Sequence, residues 1–361
     1  MCHRRTRIPP PLSSADGAGR TADAASGHSL PAKFDVSAII PSVSRPELAR
    51  AIESVRAQNG ELTVEVIVVF DRANDWVVDP AVSSLADQVL FTGGERRGSF
   101  ARNQGVHSAR GTYVAFLDDD DMWLPDKLSA QIRLIESSDA PQNTVAGGRH
   151  IHVDARSGAR SRSVPDRLIR QGEPVADYLF RERKPHVGRA SMYTSTLLCT
   201  RELALRVEWN ALLSRHQDWD WLIQLERLGN AEFVQVEEAI ALIQTGSETS
   251  ISASTDWVGS LGWADARLKE VPRTYVDFLS AQTLRYAIAS RSGEGVRAVL
   301  KRIIAAKRVP SPENIAIGFG GLLSRRSIEQ MMTRGPSSAR PAPEGQNDSA
   351  VALPSDERKN E

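Results

Sequence analysis

The sequence has few of the features that mark secreted, zinc-binding or membrane-spanning proteins. Its 361 residues include only two cysteines, Cys2 and Cys199, which cannot form a disulfide framework or a zinc site on their own. No stretch approaches the ~20 apolar residues that a membrane-spanning helix needs. Arg4 and Arg5 are not followed by the ~7–15 apolar residues of an export signal. We therefore expect a cytoplasmic protein without a membrane span.

The chain also lacks net charge. Lys and Arg together number 45, and so do Asp and Glu. This balance creates no overall field that would attract nucleic acid or an anionic membrane to the whole molecule. We therefore expect no nucleic-acid partner. A hydrophobic content of 41% at this length is enough for the core of one large domain or two modest ones.

Composition divides the chain into four regions. Residues 1–33 are rich in Ala, Ser and Gly and contain three successive prolines, which predicts a disordered tail. Residues 34–255 carry a regular alternation of apolar segments and form the predicted main domain. Residues 256–333 have helical patterns, so we expect a helical C-terminal appendage. Residues 334–361, rich in Ser, Pro and charge, predict a second disordered tail.

Within the main domain, short apolar runs alternate with helical patterns. The runs at 36–40, 64–70 and 113–117 are typical of strands buried in a parallel sheet. Ser44 and Glu47 have the spacing of a helix-capping box. The alternation predicts an α/β fold in which helices flank a mostly parallel, Rossmann-like sheet. Further strands are predicted at 145–153, 195–199, 233–236 and 239–244, and helices at 99–109, 125–135, 201–207, 218–228, 261–270, 275–290 and 295–306.

Four successive carboxylates, Asp118 to Asp121, follow the predicted strand at 113–117. Ligands of open α/β sheets bind beyond the carboxyl ends of the strands. Adjacent carboxylates repel one another unless a cation or solvent neutralises them, and Mg²⁺ or Mn²⁺ suits such oxygen ligands. A solvated acidic turn is the alternative, but the position directly after a buried strand favours a metal-dependent site.

The residues around these carboxylates resemble a known family. Residues 116–128, Phe-Leu-Asp-Asp-Asp-Asp-Met-Trp-Leu-Pro-Asp-Lys-Leu, are similar to the Asp-x-Asp segment of family 2 glycosyltransferases, which have the GT-A fold. Residues 39–58 resemble that family's first strand and helix, and residues 98–105 resemble its second loop and helix. Residues 217–221 resemble its acidic motif. The resemblance extends over roughly residues 36–252, with all four segments in the family's order.

The resemblance implies an inverting transfer of a sugar from a nucleoside-diphosphate sugar to an acceptor hydroxyl. It implies that Asp120 holds Mg²⁺ or Mn²⁺ against the diphosphate, while Asp121 shapes the turn. The implied donor-binding residues are Pro41 beside the nucleobase, Asp71 on the base, Arg97 near the donor, Asp118 at the ribose, and Asp119.

On the acceptor side, the resemblance assigns Asp218 as the general base that takes the proton of the acceptor hydroxyl. By spacing alone, Asp218 or Asp220 could instead be an N-terminal helix residue that the helix dipole favours. Trp219 is a candidate for stacking on a sugar ring, and Trp221 is a candidate for either stacking or core packing. His216 is interpreted either as an acceptor contact or as an exposed loop histidine.

Three positions depart from the family pattern. Phe70 stands where the family usually has an Asp, Gln217 replaces a Glu, and no His follows Gly246 in residues 244–252. Because of these departures, a catalytically degenerate scaffold that binds sugar nucleotides remains an alternative function. A sugar-1-phosphate nucleotidyltransferase is less favoured, because residues 41–47 lack the Gly-rich phosphate loop that it needs.

Two further expectations concern partners and a histidine pair. The family implies a glycan or glycolipid acceptor in cell-surface polysaccharide or glycolipid synthesis, at the cytoplasmic side of a membrane, with peripheral membrane association as an open alternative. His150 and His152 alternate on a predicted strand and so share one face. They are interpreted as surface or packing residues, with a metal pair as the less favoured reading.

Overall fold

The structure, a computed structural model, describes residues 34–181, 190–246 and 255–322. Its centre is one eight-stranded sheet with the order β3-β2-β1-β4-β7-β6-β8-β5. β1, β2, β3 and β4 are mutually parallel, β7 is antiparallel to β4 and β6, and β8 runs parallel to β6. The strands are β1 Phe34–Ser42, β2 Val64–Phe70, β3 Gln88–Phe91, β4 Gly111–Phe116, β5 Met122–Trp123, β6 Thr144–Asp154, β7 Leu198–Thr200 and β8 Glu232–Thr245.

Helices cover both faces of this sheet, and the α/β fold class expected from the sequence is confirmed. Ile39 and Val69 belong to the core on one face, while Ala38, Ile40 and Val68 belong to the core on the other. Burial on both faces explains why these strands read as continuous apolar runs. The helices are α1 Leu48–Arg56, α2 Pro80–Leu85, α3 Arg97–Ser108, α4 Lys127–Glu136, α5 Val175–Phe180, α6 Arg201–Arg206, α7 Gln217–Glu226, α8 Trp257–Arg267, α9 Pro272–Phe278, α10 Leu284–Ala289, α11 Gly293–Ala305 and α12 Pro312–Phe319.

The C-terminal region is helical, as predicted, and it packs onto the main domain. Trp263 of α8 and Phe278 of α9 share a core with Phe180 of α5 and Trp221 of α7. A π-helical turn, Leu279–Thr283, joins α9 to α10. The predicted tails at 1–33 and 334–361, and residues 323–333 of the predicted appendage, lie outside the described residues. None of the described helices is long and apolar enough to cross a membrane.

Two local predictions were wrong. Ser44 does not cap α1: its own N–H donates to Ser42 Oγ, it has a φ of 63°, and α1 begins after Glu47 without a side-chain cap. The two short strands predicted at 233–236 and 239–244 are one strand, β8. It keeps pairing with β6 across a register shift near Arg149, so the break in its apolar pattern marks an irregularity in the ladder and not an end.

Candidate active site

The four carboxylates lie where two neighbouring strands end. Asp118 to Asp121 follow β4, which pairs in parallel with β1, so they meet the loop that follows Ser42. This is the edge of the sheet at which open α/β folds bind ligands. The position predicted from the sequence is therefore reproduced, and the contacts now distinguish the four side chains from one another.

Asp121 is an internal anchor. Its buried carboxylate accepts hydrogen bonds from Ser195 Oγ at 2.5 Å and from the Gln244 N–H at 2.8 Å. Ser195 Oγ also accepts from the Asp118 N–H at 3.0 Å, so one serine fixes both ends of the acidic turn. Burial raises the pKa of Asp121 well above its ordinary value, aided by the charges of Asp120 and Asp118. Asp121 thus shapes the turn, as the resemblance implied.

Asp119 fixes the loop after β1. Its buried carboxylate accepts from Ser42 Oγ at 2.7 Å and from the Val43 N–H at 3.2 Å. Burial raises the pKa of Asp119, although these hydrogen bonds and the charge of Arg45 oppose the rise. These contacts give Asp119 a structural role at the site, and its direct contact with a donor stays a prediction.

Asp118 and Asp120 keep part of their carboxylates open, with side-chain exposures of 38% and 21%. Arg45, from the loop after β1, pairs directly with Asp120, and its Nε lies 3.7 Å from Asp119 Oδ1. Burial raises the pKa of Asp120 to about 6; the charge of Arg45 opposes the rise, and Asp118 and Asp119 add to it. The turn therefore brings together several carboxylates whose charge Arg45 balances only in part.

The carboxylate oxygens of this turn suit a hard divalent cation such as Mg²⁺ or Mn²⁺. Asp118 and Asp120 offer carboxylate oxygens, and Mg²⁺ is commonly bound by one or two carboxylates plus substrate phosphates. Within residues 34–181, 190–246 and 255–322, no three His, Cys, Asp or Glu side chains are grouped to hold a metal ion. A cation here would take its remaining ligands from substrate phosphates or water.

Arg102, which the sequence analysis did not single out, connects the two halves of the site. From α3 it donates to Asp118 Oδ1 at 2.5 Å and to Gln217 Oε1 at 3.0 Å, and its guanidinium lies 4.9 Å from the Trp209 ring centroid. It is 6% exposed. The amide of Gln217 thus gives this arginine a hydrogen-bond acceptor where the family usually has a glutamate.

Close packing of α3 makes this reach possible. Gly105 lies against β1, where an added Cβ would come within 2.4 Å of Ile39 Cγ2. Gly105 and Arg102 both belong to the 98–105 segment on which the family resemblance partly rests. The motif therefore contained the signal for Arg102, but the direction of its side chain depends on how the helix packs.

Asp218 and Asp220 at the start of α7 have different surroundings. Asp220 is buried and accepts from Trp263 Nε1 at 2.8 Å and Arg267 Nε at 2.6 Å, which joins α7 to α8. Asp218 is only partly buried, and it lies in the field of Arg102 and Asp118. Burial raises the pKa of Asp218 to about 6, with the charge of Asp118 adding and the Trp219 N–H and Arg102 opposing. Asp218 is therefore the carboxylate of this pair that belongs to the site.

The aromatic residues of this segment point mostly inward. His216 is 7% exposed, adopts a left-handed backbone conformation and stacks on Trp219 at 4.7 Å, so the reading of an exposed loop histidine was wrong. Trp219 also packs edge-on against Phe180 at 5.1 Å. Trp221 stacks on Trp209 at 4.6 Å, which confirms its core-packing reading. Acceptor contacts by Trp219 and His216 stay predictions.

Asp71, the residue predicted to contact the nucleobase, is held in place by several hydrogen bonds. Its carboxylate accepts from Thr92 Oγ1 at 2.5 Å and from the backbone N–H groups of Arg96 and Arg97 at 2.8 and 2.7 Å. These hydrogen bonds lower the pKa of Asp71, although burial acts to raise it. The carboxylate of Asp71 therefore stays ionised. Arg97 is exposed with a φ of 69°. Asp71 thus holds the loop that carries Arg97, while donor contact by either residue stays a prediction.

Pro41 and Phe70 fill the sheet beneath that loop. Pro41 is buried in β1 opposite Val69, and Phe70 stacks on Phe91 with ring centroids 5.8 Å apart. An aromatic core contact thus occupies the position where the family usually has a carboxylate. Contact of Pro41, or of the loop that follows it, with a nucleobase stays a prediction. Gly246 ends a described segment. The stretch after it, where the family often has a His and this chain has none, lies outside the described residues.

His150 and His152 are core residues. Both are buried on β6, and their rings meet edge-on at 4.8 Å with Tyr193 beside them. Burial lowers the pKa of His150 well below its ordinary value. The packing reading is confirmed, and the surface reading was wrong.

A cavity of about 670 Å³ lies between α3 and α7, lined on the α7 side by Asp220 and Gln224. Its walls include Trp209 but neither Asp218 nor any of the four carboxylates after β4. The acidic turn is therefore not part of this cavity.

Comparisons with known proteins agree with this arrangement. The family model described as Glycosyl transferase family 2 matches residues 37–194. Amylovoran biosynthesis glycosyltransferase AmsB of Erwinia amylovora is 27% identical over 271 residues, which cover 71% of this chain and 86% of AmsB. Succinoglycan biosynthesis protein ExoO of Rhizobium meliloti is 38% identical over 121 residues, covering 31% of this chain and 32% of ExoO.

A solved structure shares the fold. The crystal structure of S. aureus TarS 1-349 in complex with UDP-GlcNAc superposes with a TM-score of 0.53 at 14% sequence identity. The match covers 83% of this chain and 90% of the TarS chain. At this coverage the match extends well beyond residues 37–194.

Proposed function

Because this chain belongs to glycosyl transferase family 2, we propose that it transfers a sugar from a nucleoside-diphosphate sugar to a hydroxyl of a glycan or glycolipid acceptor, with inversion at the anomeric carbon. The proposal assigns the donor to the acidic turn after β4 and the acceptor to the start of α7.

One observation carries the proposal. Arg102 donates to Asp118 in the acidic turn and to Gln217 at the start of α7, directly before Asp218. A buried charged group that contacts both segments holds them at a fixed separation. Active sites need this kind of fixed geometry, because small misplacements of reacting groups cost large factors in rate.

On the donor side, Asp120 would hold Mg²⁺ or Mn²⁺, with Asp118 beside it. When bound, such an ion acts as a Lewis acid that stabilises the negative charge of the leaving diphosphate. Arg45 pairs with Asp120. With a donor in place, this guanidinium would be free to donate to a phosphate oxygen, since arginine matches phosphate geometry.

On the acceptor side, Asp218 would take the proton of the attacking hydroxyl. A pKa of about 6 suits this role, since the group is mostly ionised at neutral pH and is still a stronger base than an ordinary aspartate. Asp220 is unsuited because Trp263 and Arg267 already engage its carboxylate. One proton acceptor without a carboxylate nucleophile predicts a single displacement, and therefore inversion.

The relatives suggest which substrates to test first. TarS was crystallised with UDP-GlcNAc, so UDP-sugars are the first donors to examine. AmsB and ExoO are named for amylovoran and succinoglycan biosynthesis, which favours a growing glycan of polysaccharide assembly as the acceptor. We place the reaction at the cytoplasmic face of a membrane, where such acceptors would be presented.

Release of nucleoside diphosphate separates this proposal from its alternatives. The chain is incubated with UDP-GlcNAc and other nucleoside-diphosphate sugars, with and without Mn²⁺, and product nucleotide is measured. A metal-dependent release that is lost in Asp218→Asn supports transfer. Binding of donors without any release would indicate a scaffold. Formation of a nucleotide sugar from a nucleoside triphosphate and a sugar phosphate would indicate a nucleotidyltransferase.

A further inference from the structure

The outward face of α11 combines basic and large apolar side chains. Arg297, Leu300, Lys301 and Ile304 are all exposed, with Leu300 at 45% and Ile304 at 76%. At 100° per residue these four positions fall within an arc of about 100° on the helix surface. They therefore form one stripe, and not scattered surface residues.

The opposite face of α11 fixes the helix on the protein. Val299 is fully buried, and Gly295 lies so close to Trp257 that an added Cβ would come within 2.8 Å of its ring. Arg302 Nε donates to Asp265 Oδ2 of α8 at 2.8 Å. The exposed stripe is thus held in a defined orientation by a packed and ion-paired inner face.

The chain after α11 continues the same chemistry. Lys307 and Arg308 are exposed, and Val309 is 86% exposed. Between Glu294 and Glu313 the sequence has five basic residues and no acidic one, although the whole chain has no net charge. Apart from Arg302, none of these basic side chains forms an ion pair with a described residue. The segment is therefore a local cationic surface with apolar side chains between the charges.

We infer that this surface, defined as Arg297, Leu300, Lys301, Ile304 and residues 307–309, docks the protein onto an anionic lipid surface. Helices that lie in a membrane interface place large apolar side chains at the acyl boundary, with basic residues beside them for anionic headgroups. A protein partner fits less well, because lysine is depleted in protein interfaces and this surface holds two. The inference goes beyond the proposed transfer reaction and does not depend on it.

Vesicle sedimentation of the full chain tests this inference. Binding is compared between vesicles of phosphatidylcholine alone and vesicles containing about one-third phosphatidylglycerol. We expect binding only to the anionic vesicles, and strong weakening at about 0.5 M salt, where charge attraction is screened. Each basic residue near such a surface changes the partition coefficient by about fivefold.

Two sets of substitutions locate the surface. Changing Arg297, Lys301, Lys307 and Arg308 together to Gln should weaken partition at least about 100-fold. Changing Leu300 and Ile304 to Ser should weaken it by about tenfold and remove the binding that survives high salt.

The matched control is Arg133→Gln with Val77→Ser, which alters an exposed basic residue on α4 and a side chain that is 87% exposed in the loop before α2.

The control should bind as the unmodified chain does, and all variants should keep its melting temperature because the altered side chains are exposed. Equal binding to neutral vesicles, absence of binding, or binding unaffected by the four Gln substitutions would each overturn the inference. A self-associating chain whose dimer needs Leu300 and Ile304, with no vesicle binding, would assign the face to a second copy instead. None of these results depends on nucleotide release. The membrane inference can therefore be refuted without refuting the proposed transfer reaction, and the reverse.

Discussion

Replacing Arg102 should change the pH at which the enzyme loses activity. This buried guanidinium opposes the rise in the pKa of Asp218 that burial causes. Arg102→Met removes the charge but keeps an extended side chain against Trp209. The pKa of Asp218 should therefore rise above its value of about 6, and the acidic limb of kcat/KM should move to higher pH with it.

The magnitude follows from the geometry of the site. Asp218 is only partly buried and the neighbouring Asp118 is 38% exposed, so solvent screens much of the charge interaction. We expect a shift of about one pKa unit, equivalent to about 1.4 kcal/mol. At pH 6 the ionised fraction of Asp218 would then fall from about one-half to about one-tenth.

The assay is the pH dependence of kcat/KM for nucleotide release, measured for three variants beside the unmodified chain. Arg102→Lys keeps the positive charge and should keep the midpoint close to its original value. Arg45→Met removes the charge next to Asp120 and should weaken donor binding; a midpoint shift that acts through the pKa of Asp120 should disappear from kcat at saturating donor and metal, whereas the shift in Arg102→Met should persist. A midpoint that stays in place in Arg102→Met, or an equal shift in Arg45→Met at saturating donor and metal, would refute the assignment of Arg102 to Asp218.

Two other predictions concern the metal site and a buried lysine. Asp120→Ala should abolish metal-dependent nucleoside-diphosphate binding in calorimetry, whereas the exposed Asp126→Ala should not; equal affinity in both variants would contradict the metal assignment. Lys127 is fully buried, donates to Gln131 Oε1 at 2.6 Å, and has a pKa that burial lowers well below its ordinary value. Its contribution to stability is therefore fully present above about pH 10.4 and is lost as pH falls towards the folded-state pKa. Denaturation measurements should show that stability rises less between pH 7 and 10 in Lys127→Met than in the unmodified chain, and parallel curves would contradict a depressed pKa.

The sequence predicted the central sheet because its strands are buried on both faces. The runs at 36–40, 64–70 and 113–117 are short and apolar except for Ser37 and Glu65, which is typical of strands buried on both faces of a sheet. β3 was missed because it has four residues, all half-buried, at the edge of the sheet. The helices α5 and α12 were also missed, since six and eight residues give too few turns for a clear helical period.

The position of the acidic turn was predicted from the sequence, but the side-chain partners that hold its aspartates in place were not. Four identical aspartates follow β4, and only distant partners distinguish them: Ser195 buries Asp121, while Ser42 holds Asp119. Position 195 was expected in a strand, whereas it lies in a short 3₁₀ turn before β7. No local pattern encodes contacts of this kind, because they depend on segments that meet only in the folded chain.

The rate of sugar transfer by Asp218→Asn tests the central claim most directly. The substitution keeps the shape of the side chain but removes the proton acceptor, so turnover should fall by ~10²–10⁴-fold. Donor affinity should be nearly unchanged, and the loss should appear in kcat and not in KM. An Asp218→Asn variant that turns over donor at the rate of the unmodified chain would contradict the account.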